Sequence, residues 1–123
     1  MEKINIPGAK PTEGHYSAAV KSGGMVYISG QVGIDPFSGE MAEGIFAQTR
    51  KTLENLRLTA EQAGSSLEKI VKVNIFVTTI DFWDDVNNIY REFFGEHKPA
   101  RIIIPIGDLG DGLLIEIDAI AEV

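Results

Sequence analysis

The sequence predicts an α+β domain: a mixed β-sheet with two helices laid on one face. Three observations predict it. Apolar residues alternate with period two over 70–79, two other stretches carry them at helical spacing, and glycines stand where those stretches stop. The 123-residue length fits one domain, 1–123.

In chain order, residues 16–21 and 25–32 are apolar runs separated by Gly23-Gly24, a hairpin signal. Met25-Val26-Tyr27-Ile28-Ser29 has the β-branched and aromatic content of a strand. Segment 33–44 holds Pro36 between glycines and reads as a long loop. Ile45, Leu53, Leu56, Ala60 and Ala63 then form the one-sided stripe of an amphipathic helix, and Gly64 is placed to stop it. Val71, Val73, Ile75 and Val77 alternate with Lys72, Asn74, Phe76 and Thr78, giving a strand with one buried face. A second helix has Asp81 as candidate N-cap, an apolar face of Val86, Ile89, Tyr90, Phe93 and Phe94, and Gly95 at its end. Strands at 101–106 and 113–123 close the chain, joined by the turn-rich segment 107–112.

Two helices on one face leave the other face of the sheet uncovered. In the last strand the uncovered set is either Leu114, Glu116, Asp118 and Ile120, or Ile115, Ile117, Ala119 and Ala121. Both sets contain apolar residues, so the sheet is expected to close against other copies of the chain.

Composition excludes several functions. The chain is 44% hydrophobic and 24% charged, as a globular protein is. With no cysteine there is no disulfide framework, cysteine zinc site, iron–sulfur cluster or thiol nucleophile. Two histidines, His15 and His97, leave little for a metal centre or a catalytic triad, so no metal is expected. The net charge of −7 argues against a nucleic-acid-tracking surface. The apolar run at 102–104 is far short of the roughly 20 residues that span a bilayer. The N-terminal stretch has no signal-peptide pattern, so a cytoplasmic protein without membrane partners is expected.

Few residues suggest chemistry. Arg101 opens an apolar strand, where a charge needs a partner. Its planar fork suits a ligand carboxylate, and an ion pair with Glu116 or Asp118 on a neighbouring strand would satisfy it equally. Glu116 and Asp118 share one strand face and are either an acid–base pair or a solvated edge. The segment 107–112 is glycine-rich but lacks the Lys and Ser/Thr of a phosphate loop, so it reads as a turn. Ser29-Gly30-Gln31 ends a strand where backbone could approach a ligand or bend into the loop. Tyr16 is a core or cleft aromatic, His15 reads as a surface histidine, and Asn87-Asn88 is solvent-facing or supplies an amide to a site.

Taken together, the motifs resemble the Rid family (YjgF-like, L-PSP), in particular the RidA-type imine deaminases. They are Gly14-His15-Tyr16-Ser17, Tyr27-Ile28-Ser29-Gly30-Gln31, Gln48-Thr49-Arg50, Ala63-Gly64-Ser65-Ser66-Leu67, Lys98-Pro99-Ala100-Arg101 and Ile115-Glu116-Ile117-Asp118-Ala119-Ile120-Ala121. The resemblance implies a chorismate-mutase-like fold and homotrimers whose sheets form a central barrel, with ligand clefts between subunits. It implies hydrolysis of reactive enamines and imines such as 2-aminoacrylate to 2-keto acids and ammonia, without a cofactor. Binding of 2-keto acids without catalysis, or ribonuclease and translation-inhibitor activity, are the alternatives. By resemblance, Arg101 grips the substrate carboxylate and Glu116 activates the water. Tyr16, Ser29, Gly30, Asn87 and Ile103 line the cleft, Ile103 standing where the family usually has cysteine. The segment 102–112 departs from the family pattern: Asp108 and Asp111 replace basic residues, and Pro105 hints at an edge or bulge.

Overall fold

A computed structural model describes residues 1–123. The elements are β1 (Glu2–Ile4), β2 (Ala19–Ser22), β3 (Met25–Val32), α1 (Gly44–Gln62), β4 (Ile70–Val77), α2 (Trp83–Phe94), β5 (Ala100–Pro105) and β6 (Ile115–Glu122). The strands form one mixed sheet in the order β1-β2-β3-β6-β4-β5. Only the β4–β5 pair is parallel, as expected for strands joined through the crossover helix α2. Strand β1 adds a sheet edge that the sequence reading had not assigned.

The placement of β6 decides the rest. It does not fold back on β5 as a hairpin; it inserts between β3 and β4, antiparallel to both. Its Ile115, Ile117, Ala119 and Ala121 are almost completely buried under the helices. A strand that apolar on one face gains most at the centre of the sheet. Strand β5 goes to the edge instead, where Pro105 costs no ladder bond.

The helical stripe is as predicted: Ile45, Leu53, Leu56, Ala60 and Ala63 are all buried. Gly64 (φ 83°) and Gly95 (φ 62°) follow the helices in the left-handed region that favours glycine. Three expectations need correction. The chain before α2 is capped by Thr79, whose Oγ1 accepts from the Asp81 backbone N–H at 3.2 Å, so Asp81 is not the N-cap. Val71 is exposed because the β4–β6 register slips between Ile70 and Lys72, and Ile70 takes the buried place. Tyr16 precedes β2 and lies outside the strand.

The buried face of α1 is also more polar than its apolar period suggests. Thr49, Thr52 and Thr59 donate back to the carbonyls of Ile45, Gln48 and Asn55 at 2.6, 2.6 and 2.9 Å. Asn55 Nδ2 donates to the Val32 and Ile34 carbonyls at the end of β3 (2.9 and 2.8 Å). Buried Gln48 acts as a surrogate strand partner for the chain entering β6. Its Nε2 donates to the Gly112 carbonyl at 3.0 Å and its Oε1 accepts from the Leu114 N–H at 2.8 Å. Gly33 makes room for it, since a Cβ there would stand 2.9 Å from the Gln48 Cα.

Of the two candidate uncovered faces, the structure leaves Leu114, Glu116, Asp118 and Ile120 outside and puts the other set in the core. On the open face Ile120 stands between Tyr27 and Lys72, Asn74 between Asp118 and Ile102, and Phe76 between Glu116 and Ile104. Tyr27, Ile102 and Ile104 remain 48%, 44% and 36% exposed in the single chain.

Gln48→Ala leaves the Gly112 carbonyl and Leu114 N–H without their partner. The expected cost is about 1–3 kcal/mol of folding stability, read from the midpoint of urea unfolding. An unchanged midpoint would show that the clamp contributes nothing.

Candidate functional site

The predicted site residues fall into two groups on opposite faces of the sheet. Arg101 pairs with Val73, and Val73 with Ala119, so all three share the helix-covered face. Glu116 pairs with Phe76 on the open face. The ion pair between Arg101 and Glu116 or Asp118 therefore does not form. Strand β5 neighbours β4 and not β6, and the protein's ion pairs join Lys21 to Glu2, Arg50 to Glu92, and Lys51 to Asp35 and Glu54.

Arg101 is held by helix α2. One guanidinium nitrogen donates to Asn87 Oδ1 at 2.9 Å. The guanidinium lies over the Tyr90 ring, 4.7 Å from its centroid, with Trp83 at 5.8 Å. An amide on one nitrogen and an aromatic face beneath fix the plane of the fork and leave donors unused. Asn87 and Tyr90 are one helical turn apart, which brings both to the same residue. Tyr90 is itself 93% buried on the 7% exposure it retains, and its hydroxyl has no hydrogen-bond partner. Burial pushes its pKa up to about 12 against the pull of Arg101. Asn87, Tyr90 and Arg101 line a cleft of about 370 Å³. Ile103, two residues along β5, packs against the core from the same face.

The second group gathers at the end of β3. The β3–β6 register slips between Ile28 and Gln31, putting Ser29 and Gly30 in a bulge. Ser29 Oγ donates to the Ser17 carbonyl at 2.6 Å, and the Ser29 N–H to the Ala18 carbonyl at 3.0 Å. These bonds tie the loop carrying Tyr16 to the bulge. Glu116 lies against Gly30 so closely that a Cβ there would collide with its carboxylate. Tyr16 and Gly30 both line a wider cleft of about 640 Å³, with Val32, Asn55 and Leu58. Tyr16 is 57% exposed, a cleft aromatic and not a core one.

Among the site residues predicted from the sequence, Glu116 is the one carboxylate with a shifted proton affinity. Burial, and then the neighbouring charge of Asp118, raise its pKa above the ordinary 4.5. Asp118 accepts from Asn74 Nδ2 at 2.7 Å and so is already partnered. The two carboxylates thus have different environments, the condition under which a pair divides its duties. No three His, Cys, Asp or Glu side chains gather as a metal site would need. His97 Nε2 donates to the Ile70 carbonyl at 2.7 Å, which gives it a structural task.

The sequence reading missed two residues. Tyr90 was given no role in the site, although its spacing from Asn87 placed it beside any partner of that amide. Gln48 is polar and so invisible to an apolar period.

Comparison with known proteins gives a consistent result. The profile of the family described as Endoribonuclease L-PSP matches residues 7–123. A RutC family protein of Pyrococcus horikoshii is 43% identical over 121 residues, covering 98% of this chain and 96% of the relative. The 2-iminobutanoate/2-iminopropanoate deaminase of Salmonella typhimurium is 40% identical over 121 residues, covering 96% of this chain and 94% of the relative. The crystal structure of RidA from an Antarctic Psychrobacter superposes with a TM-score of 0.93 at 36% identity over 100% of both chains.

The raised Glu116 pKa has a consequence for stability. The folded state binds that proton more tightly than the unfolded chain, so the contribution is present at low pH and lost as pH rises through the folded value. Glu116→Gln should therefore melt above the parent at pH 7, with the gap closing towards pH 4. Parallel melting curves at all pH values, measured by circular dichroism, would contradict the shift.

Proposed function

The chain belongs to the L-PSP family, also called Rid or YjgF, and from that premise we propose that it hydrolyses reactive 2-imino and 2-enamino acids to 2-keto acids and ammonia. The observation that carries the reading is Arg101, a half-buried guanidinium oriented by Asn87 and Tyr90 with no carboxylate of its own chain to satisfy it. Such a fork matches the carboxylate that every 2-imino acid carries. The naming of a 40% identical relative as a 2-iminobutanoate/2-iminopropanoate deaminase supports the choice of reaction.

Because Arg101 and Glu116 occupy opposite faces, one chain offers two halves of a site. In this proposal the open face packs against two further copies in a closed homotrimer, burying Tyr27, Ile102 and Ile104. Glu116 of the partner subunit then meets the ligand that Arg101 anchors. An enamine first takes a proton on its β-carbon to become the imine. Glu116 holds a water against the imine carbon and accepts one of its protons as the new C–O bond forms. The nitrogen takes up a proton, the tetrahedral carbon collapses to the ketone, and ammonia leaves. The reaction consumes only water. An acid whose pKa lies above the ordinary carboxylate value is better matched to this relay than a fully exposed glutamate. With so reactive a substrate, positioning supplies most of the catalysis.

The test follows the disappearance of enzymatically generated 2-aminoacrylate. Arg101→Ala should weaken 2-keto-acid binding in calorimetry by about 10- to 100-fold, the loss of a charge-assisted contact. Glu116→Gln should keep ligand affinity and lose about 10²–10⁴-fold in rate. Light scattering should give three chain masses. Unaltered turnover in Glu116→Gln would leave a carboxylate-binding protein without the proposed water relay, and a monomer mass would remove the shared site.

A further inference from the structure

The chain carries 18 acidic and 11 basic residues, yet the cleft around Arg101 has no acidic residue in its lining. Arg91, Lys98 and Arg101 all line it. None of the three takes part in an ion pair. Arg91 has only a 3.4 Å contact from one guanidinium nitrogen to Asn88 Oδ1, and Lys98 has no hydrogen-bond partner. Three cations outside any ion pair around one concavity of about 370 Å³ favour an anion there, in a chain whose net charge is −7. They also exceed what one carboxylate requires, because the Arg101 fork already provides two parallel donors for it.

We propose that this cleft selects 2-imino acids bearing a second carboxylate, with Arg101 on the 2-carboxylate and Lys98 and Arg91 on the distal one. Resting on the Arg101 anchor proposed above, it adds a substrate class to that reading. The division of labour follows from construction. Arg101 is stacked and hydrogen-bonded in place, suiting the invariant end of the substrate. Lys98 and Arg91 are exposed, on long stems that adapt to a distal group at varying reach. Gly95 and Pro99, which also line the cleft, add no charge to it. The supplying reaction is then the oxidation or dehydrogenation of an acidic amino acid at its α-carbon.

The stable keto acids 2-oxoglutarate and 2-oxobutanoate serve as probes, titrated by calorimetry into the full-length protein at low and at high salt. The parent should bind 2-oxoglutarate about tenfold more tightly at low salt, at about two- to fivefold per exposed cation, and the preference should shrink at high salt. Lys98→Ala and Arg91→Ala should each reduce the preference while leaving 2-oxobutanoate affinity unchanged. Arg101→Ala should weaken both ligands. Equal affinity of the parent for the two probes would overturn the inference. So would a uniform loss for both probes in Lys98→Ala and Arg91→Ala, which would mean these residues act through the general field. If Arg101→Ala left both affinities intact, the fault would lie with the anchor itself and hence with the proposed function.

Discussion

Strand β6 can face only one way, and the rest of the structure depends on that constraint. Ile115, Ile117, Ala119 and Ala121 are its apolar set, and burying them under α1 and α2 sends Glu116 and Asp118 to the open face. A slip of one residue would bury two carboxylates and expose four apolar side chains, so the register is strongly held. The Gln48 clamp on Gly112 and Leu114 sets the same register where the chain enters the strand. With β6 between β3 and β4, β5 is left at the edge, and Arg101 sits on the helix side against Asn87 and Tyr90.

From that register comes the separation of the chemical groups. The cation that suits a carboxylate and the acid that suits a water stand on opposite faces of one sheet. In a monomer they would work independently, and the open face would expose Tyr27, Ile102 and Ile104 to water. In the proposed trimer, closing that face against other copies would answer the apolar exposure and the divided site together. The packing requirement and the proposed catalysis then have a single geometric cause.

Much of this was legible in the sequence, for identifiable reasons. Periodicity disclosed both helices and β4, because apolar burial is periodic, and it reduced the open face to two candidate sets. It could not choose between them, since that choice depends on what lies across the sheet. Strand order was illegible: 101–106 and 113–123 look like hairpin partners by proximity, while the gain from centring β6 is a property of the whole core. Arg101, Glu116, Tyr16 and Gly30 could be singled out by residue type and motif, but the faces of the sheet they occupy could not be read, which is why an ion pair from Arg101 to Glu116 or Asp118 looked natural. Tyr90 and Gln48 were missed because their roles belong to geometry, a ring under a guanidinium and an amide imitating a strand.

The central claim is that the site is complete only where two chains meet, and a mixing experiment tests it most directly. Arg101→Ala and Glu116→Gln proteins, each nearly inactive alone, are unfolded together, refolded at equal ratio and assayed for imine hydrolysis. Random closed trimers would rebuild about one site in four with an intact Arg101 from one chain and an intact Glu116 from the next. The account predicts activity near a quarter of the parent's. Hybrid trimers that form, as shown by mass spectrometry, and yet stay as inactive as either variant would contradict it.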